Sequence, residues 1–120
     1  SFNSGCHSWK LEVASNNHSK NWVCFGIVNS MFAVDFDRFQ WGKLIALGTT
    51  GWVNNMTKVN ELNDYDNQTY ECVLDFEKGS FTILNEGKVV CERIEKFKGY
   101  YFPICMLQTQ NNTVKLISTT

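Results

Sequence analysis

The sequence predicts an all-β fold, a two-layer antiparallel β-sandwich, on three observations. Apolar and polar side chains alternate with a period of two in several short segments, which is the pattern of half-buried strands. Glycine and asparagine clusters separate these segments, and such clusters mark turns. No long segment has a convincing helical pattern. The 120 residues suit a single domain with enough hydrophobic content, 43%, to form a core.

The first half of the chain contains three predicted strands. In order, they are residues 9–13, 22–28 and 44–47. The first alternates, with Trp9, Leu11 and Val13 inward, and the second is apolar on both faces, which suits a central strand of stacked sheets. The irregular segment 29–42 follows the second strand, and the spacing of its phenylalanines would also suit a helical turn.

The strongest strand pattern lies between Glu71 and Val90. Its alternation predicts three short strands joined by two tight turns. Gly79 and Gly87 each stand where a chain reversal needs a positive φ. The stretch therefore predicts an antiparallel meander. It contains no obvious catalytic group, so we expect a scaffold whose function lies elsewhere.

The C-terminal part adds two predicted strands, residues 100–107 and 113–117, with a loop over 108–112. The single proline, Pro103, suits an edge strand or a strand start. The N-terminal residues match neither a signal peptide nor a transit peptide. We therefore expect a single domain, residues 1–120, excised from a longer multidomain chain.

Charge and hydropathy exclude two classes of partner. The net charge is −1 without a lysine or arginine run, whereas nucleic-acid binding needs a clustered basic face. The longest apolar runs are about seven residues, too short to span a bilayer. Five cysteines without a C-x-x-C spacing favour reduced core thiols in a cytoplasmic or otherwise intracellular protein. An extracellular setting stays open because of N-x-S/T sequons at Asn17, Asn55, Asn67 and Asn111.

Several segments, in this order, resemble the SPRY domain, the core of the B30.2 family. Ser4-Gly-Cys-His-Ser-Trp-Lys-Leu-Glu-Val13 resembles the family's opening pattern S-G-x-H-x-W-x-x-E-V. Residues 22–28 resemble the following W-x-x-G-V strand. Residues 74–88 resemble the double hairpin L-D-x-x-x-G-T-x-x-F-x-x-N-G-K. Tyr101-Phe-Pro103 stands where the family has a proline-containing strand.

The sequence also departs from the family pattern. Ser8 replaces the aromatic residue after the histidine, residues 67–71 replace a Gly-Asp pair, and no PRY segment is present. The resemblance implies a concanavalin-like jelly roll of SPRY type that acts as a non-catalytic protein-interaction module. Such modules are commonly attached to ubiquitin-ligase subunits, where they recognise substrates, and to scaffolds and channels. Their partner, a short peptide or a folded protein, binds loops at one end of the sandwich.

Transferred by position, these loops are residues 14–21, 48–55 and 108–112, with 29–42 as a further candidate. Trp52 is the leading contact residue, because it sits in a glycine-flanked loop and tryptophan commonly anchors interfaces. The alternative is that Trp52 plugs the end of the core. The predicted partner-binding residues are Trp52, Asn54, Asn55, Arg38, Asn16, Asn17, Tyr65, Gln110 and Asn111.

We predict no catalytic site, no metal site and no cofactor. Cys6 and His7 are neighbours in a strand, so their side chains point to opposite faces. Asp35 and Asp37 are better explained as turn residues than as an acid–base or metal pair. Three alternatives to a protein-interaction module stay open: a carbohydrate-binding, lectin-like sandwich, a hydrolase that uses Asp35, Asp37 or Glu61, and a purely structural domain.

Overall fold

The computed structural model describes residues 2–15, 23–31, 41–107 and 112–119, with only the backbone of Ser15, Trp41 and Asn112. This part of the chain contains ten strands and one short 3-10 helix, Trp41–Lys43. The strands are β1 (Cys6–Ser15), β2 (Val23–Asn29), β3 (Ile45–Gly48), β4 (Val53–Asn54), β5 (Thr57–Lys58), β6 (Gln68–Asp75), β7 (Ser80–Asn85), β8 (Lys88–Ile94), β9 (Tyr101–Leu107) and β10 (Asn112–Thr119).

Two antiparallel sheets form the molecule. One has six strands in the order β10-β1-β6-β7-β8-β5, and the other has four in the order β4-β3-β2-β9. Their facing sides share one hydrophobic core, in which the rings of Phe25 on β2 and Tyr70 on β6 lie 4.9 Å apart. The predicted all-β sandwich is therefore confirmed.

The strand predicted to be apolar on both faces is β2, between β3 and β9 in the smaller sheet. Its residues from Val23 to Val28 are all buried. Gly26 lets β3 approach closely, since a Cβ atom at this position would lie 1.9 Å from the Ile45 carbonyl oxygen. Pro103 lies on β9, an edge strand, as predicted.

The meander of β6, β7 and β8 is also confirmed. Inward residues of β6 and β7, such as Leu74 and Phe81, are fully buried. Gly79 and Gly87 have φ values of 74° and 78°, as their positions in the turns require. Glu86 also has a positive φ, 51°, so both central residues of the second turn are left-handed, which matches the twist of a tight hairpin.

The strand registers define two ends of the sandwich. We call one the loop end: there β3 reaches Gly48 opposite Cys24, near the start of β2, and β9 reaches Leu107 opposite Val23. In the larger sheet, β1 finishes and β10 begins at this end. At the opposite end, Phe2 pairs with Tyr101 at the start of β9.

Candidate functional site

Trp52 lies at the loop end, on the tight turn between β3 and β4. The Gly48 N–H donates to the Trp52 carbonyl oxygen over 2.7 Å, and the Gly51 N–H donates to the Gly48 carbonyl oxygen over 2.9 Å. Trp52 is 38% exposed and is not a member of the core cluster of described residues. The turn therefore presents a large apolar side chain to solvent.

Thr49 connects this turn to strand β2 through two hydrogen bonds. Its backbone N–H donates to the Val23 carbonyl oxygen over 2.9 Å, and its Oγ1 accepts a 3.1 Å hydrogen bond from the Val23 N–H. Two contacts to one residue of β2 hold the turn in place. The backbone that carries Trp52 is thus ordered before any partner binds, which reduces the entropy lost on binding.

A second set of contacts stabilises the turn, and it is formed by Lys58, Glu61 and Tyr65. Lys58 Nζ donates to the Gly51 carbonyl oxygen and, over 3.1 Å, to Glu61 Oε1. The Tyr65 hydroxyl donates to Glu61 Oε2 over 2.6 Å. Tyr65 is 8% exposed, and a Cβ atom at Gly51 would lie 3.0 Å from its ring. The tyrosine therefore supports the turn and does not offer its ring as contact surface.

Hydrogen bonds shift the pKa values of Glu61 and Lys58. The pKa of Glu61 is lowered, first by the hydrogen bond from Tyr65 and then by Lys58. Burial alone would lower the pKa of Lys58, but the hydrogen bond to Glu61 and the electrostatic interactions with Tyr65 and Glu61 raise this pKa overall. Both side chains are therefore charged at neutral pH. An ionised Glu61 that already accepts two hydrogen bonds is poorly suited to donate a proton as a general acid.

Two of the five predicted asparagines, Asn54 and Asn55, direct their amide nitrogens away from Trp52. Asn54 Nδ2 donates to the Leu44 carbonyl oxygen, and Asn55 Nδ2 donates to the carbonyl oxygens of Gly42 and Leu44, each over 2.8 Å. Asn55 also has a φ of 57°, a left-handed conformation that asparagine tolerates. These amides therefore stabilise the backbone before β3. Because Asn55 follows β4 and Trp52 precedes it, the two residues lie at opposite ends of this strand.

The remaining predicted contact residues lie outside the described residues. They are Arg38, Asn16, Asn17, Gln110 and Asn111. The strand ends that flank 16–22 and 108–111 all lie at the loop end. The structure thus brings Trp52 and Tyr65 together there, and it adds Thr49, Lys58 and Glu61. Sequence reasoning missed Thr49 and Lys58, whose roles depend on contacts with distant backbone atoms.

The prediction that the cysteines are core thiols holds for three of the five. Cys24, Cys72 and Cys91 are buried, and burial raises the thiol pKa of Cys24 and of Cys91 to about 12, whereas Cys6 and Cys105 are exposed because they lie near the edges of the sandwich. His7 is hydrogen-bonded through Nε2 to the Ser4 carbonyl oxygen, 2.7 Å away, and its ring stacks on Phe2. Among the described residues, no three metal-ligating side chains are grouped to hold an ion, and no helix is long and apolar enough to cross a membrane.

Comparison with known proteins leaves the family open. No protein-family model and no curated protein matches the chain. The SPRY resemblance therefore stays a hypothesis carried by the motifs given above.

Proposed function

We propose that this chain is a non-catalytic, SPRY-type interaction module that binds a peptide or protein partner through the loop end. The observation that carries the proposal is the exposed Trp52 on a turn fixed by Thr49 and Lys58. Tryptophan is enriched among the residues that dominate binding energy. A turn whose backbone is already held in place loses little loop freedom on binding.

The surroundings of Trp52 suit a partner with both apolar and polar groups. An apolar side chain of the partner packs against the indole. Glu61, whose side chain is 72% exposed, and Lys58, whose side chain is 26% exposed, supply an acceptor and a donor at the rim. Rim charges mainly set the orientation and rate of association rather than the affinity.

A protein partner is favoured over a carbohydrate because of the asparagines. Sugar binding in a lectin-like sandwich would need amide groups directed toward the ligand. The amide nitrogens of Asn54 and Asn55 instead donate to backbone carbonyl oxygens. We place the module in an intracellular, multidomain parent chain, with substrate recognition for a ubiquitin ligase, or scaffolding, as the setting that the SPRY resemblance implies.

Selection from a displayed library of random peptides on the immobilised protein tests this proposal. We expect the selected peptides to bind the wild type and to lose at least about 30-fold in affinity with Trp52→Ala, equivalent to about 2 kcal/mol. Ile94→Ala is the matched control, because Ile94 is an exposed apolar residue, at 65%, at the other end of the sandwich. It should leave the affinity unchanged.

Circular dichroism and thermal unfolding are the controls that establish whether both variants are folded. Selected peptides that bind folded Trp52→Ala as tightly as the wild type would contradict the site. A library that yields no binder, together with a clear hit on a glycan array, would favour the carbohydrate-binding alternative.

A further inference from the structure

Along one long side of the sandwich, no described strand bridges the two sheets. β10 is the outer strand of the larger sheet and β9 is the outer strand of the smaller sheet. A groove of about 390 Å³ lies between them, with Trp9, Leu11, Pro103, Cys105 and Leu116 among its lining residues. It runs along the strands and is separate from the turn that carries Trp52.

The lining of the groove faces the interior of the sandwich. Leu116 pairs with Leu11, whose side chain belongs to the core, yet Leu116 is 57% exposed. On β9, Cys105 pairs with the fully buried Phe25, yet Cys105 is exposed. Residues on the inner faces of both outer strands are therefore open to solvent. In a sandwich closed on this side they would be covered.

β10 is the better docking edge of the two strands. Among the described residues it pairs only with β1, in regular register from Asn112 to Leu116 before a shift at Ile117, and it contains no proline, so the other side of this regular stretch offers backbone donors and acceptors. β9 contains Pro103, which has no N–H to donate. An extended segment that adds to a free edge gains main-chain hydrogen bonds, and pockets for alternate side chains give it specificity.

The charge of this side favours an acidic partner. The strands β9 and β10 contain a single charged residue, Lys115, and no acidic residue. Lys115 is exposed and lies opposite Glu12 of β1 in the strand register. A strand on the free side of β10 would place one of its own residues beside Lys115. A dimer could instead form by pairing the β10 strands of two copies of this chain about a two-fold axis. In such a dimer, Lys115 of one copy would lie near Lys115 of the other, and the repulsion between the two positive charges costs energy.

We propose that β10 binds an extended segment of another protein, with apolar side chains at every second position and an acidic residue beside Lys115. The apolar side chains fill the groove between β10 and β9. The acidic residue lies on the outer face beside Lys115, on the side of β10 away from Glu12. The sandwich gains a seventh strand in its larger sheet.

Capped peptides of eight residues, the length of β10, test this inference in binding titrations. We expect a peptide that alternates valine with glutamate to bind at least about tenfold more tightly than one that alternates valine with lysine. Lys115→Glu should reverse this preference. Leu116→Glu should abolish binding, while Ile94→Glu, the same change at an exposed isoleucine outside the groove, and Trp52→Ala should retain it.

Amide hydrogen exchange locates the bound peptide, and we expect new protection in β10. No saturable binding of the valine–glutamate peptide up to about 1 mM, the range of weak complexes, would overturn the proposal. Equal binding of the two peptides, or full binding by folded Leu116→Glu, would do the same. A dimer of the peptide-free protein in ultracentrifugation, dissociated by Leu116→Glu, would assign the groove to a second copy instead.

Discussion

The meander and the turn that carries Trp52 are held together in different ways. In the meander of β6–β8, every second side chain of β6 enters the core, and backbone ladders join β6 to β7 and, with one register shift between Ile83 and Leu84, β7 to β8. Around the turn the strands are only two to four residues long, and bonds from side chains such as Thr49, Lys58 and Asn55 to backbone atoms hold them. The first region supplies stability, and the second presents an exposed aromatic ring.

The largest effect is expected from the core of the meander. Phe81 on β7 is fully buried, so Phe81→Ala removes a large apolar contact and leaves a cavity. The free energy of unfolding should fall by about 3–5 kcal/mol, measured by urea denaturation. Ile94→Ala, at an exposed position of β8, should change it by no more than about 0.5 kcal/mol. A similar loss in both variants would remove the distinction between core and surface in this region.

A smaller loss of stability is expected at Asn55, which supports the backbone before β3. Asn55→Ala removes both side-chain hydrogen bonds and places alanine at a φ of 57°, which should cost about 2–3 kcal/mol. Asn55→Gly removes the same bonds without the backbone strain and should be less destabilising. The measurement is chemical denaturation of both variants. If alanine were tolerated as well as glycine, the left-handed backbone would not matter for stability.

Trp52→Ala should affect stability less than either change. Trp52 is exposed by more than a third and lies outside the core cluster of described residues, so loss of its side chain should lower the free energy of unfolding by no more than about 1 kcal/mol. Thermal and urea unfolding both measure this quantity. A loss as large as that of Phe81→Ala would make Trp52 a framework residue.

The smallest expected effect is a change in the pKa of Glu61, whose carboxylate is exposed. Its pKa in the folded protein lies below the ordinary value, so its interactions stabilise the fold above the ordinary carboxyl pKa, and this contribution is lost as the pH falls through the folded pKa. Tyr65→Phe removes the main cause of the shift and should raise the pKa toward its ordinary value. A carbon-detected NMR titration of the Glu61 carboxyl measures it, and an unchanged pKa would show that the hydrogen bond does not form.

Much of the fold could be predicted from the sequence because alternation is a local signal. The meander, the buried strand β2 and the edge position of Pro103 all follow from patterns within a few residues. The support of the candidate site could not be predicted in this way. Asn55 bonds to carbonyl oxygens 11 and 13 residues away, and Lys58 reaches Gly51, so these contacts depend on the tertiary fold.

Amide hydrogen exchange with and without a selected peptide tests the central claim most directly. The claim is that partners bind at the turn that presents Trp52, while the meander only supports it. We predict that the peptide protects residues 48–53 and leaves the exchange of β7 and β8 unchanged. Protection confined to β7 and β8, with exchange at residues 48–53 unaltered, would contradict it.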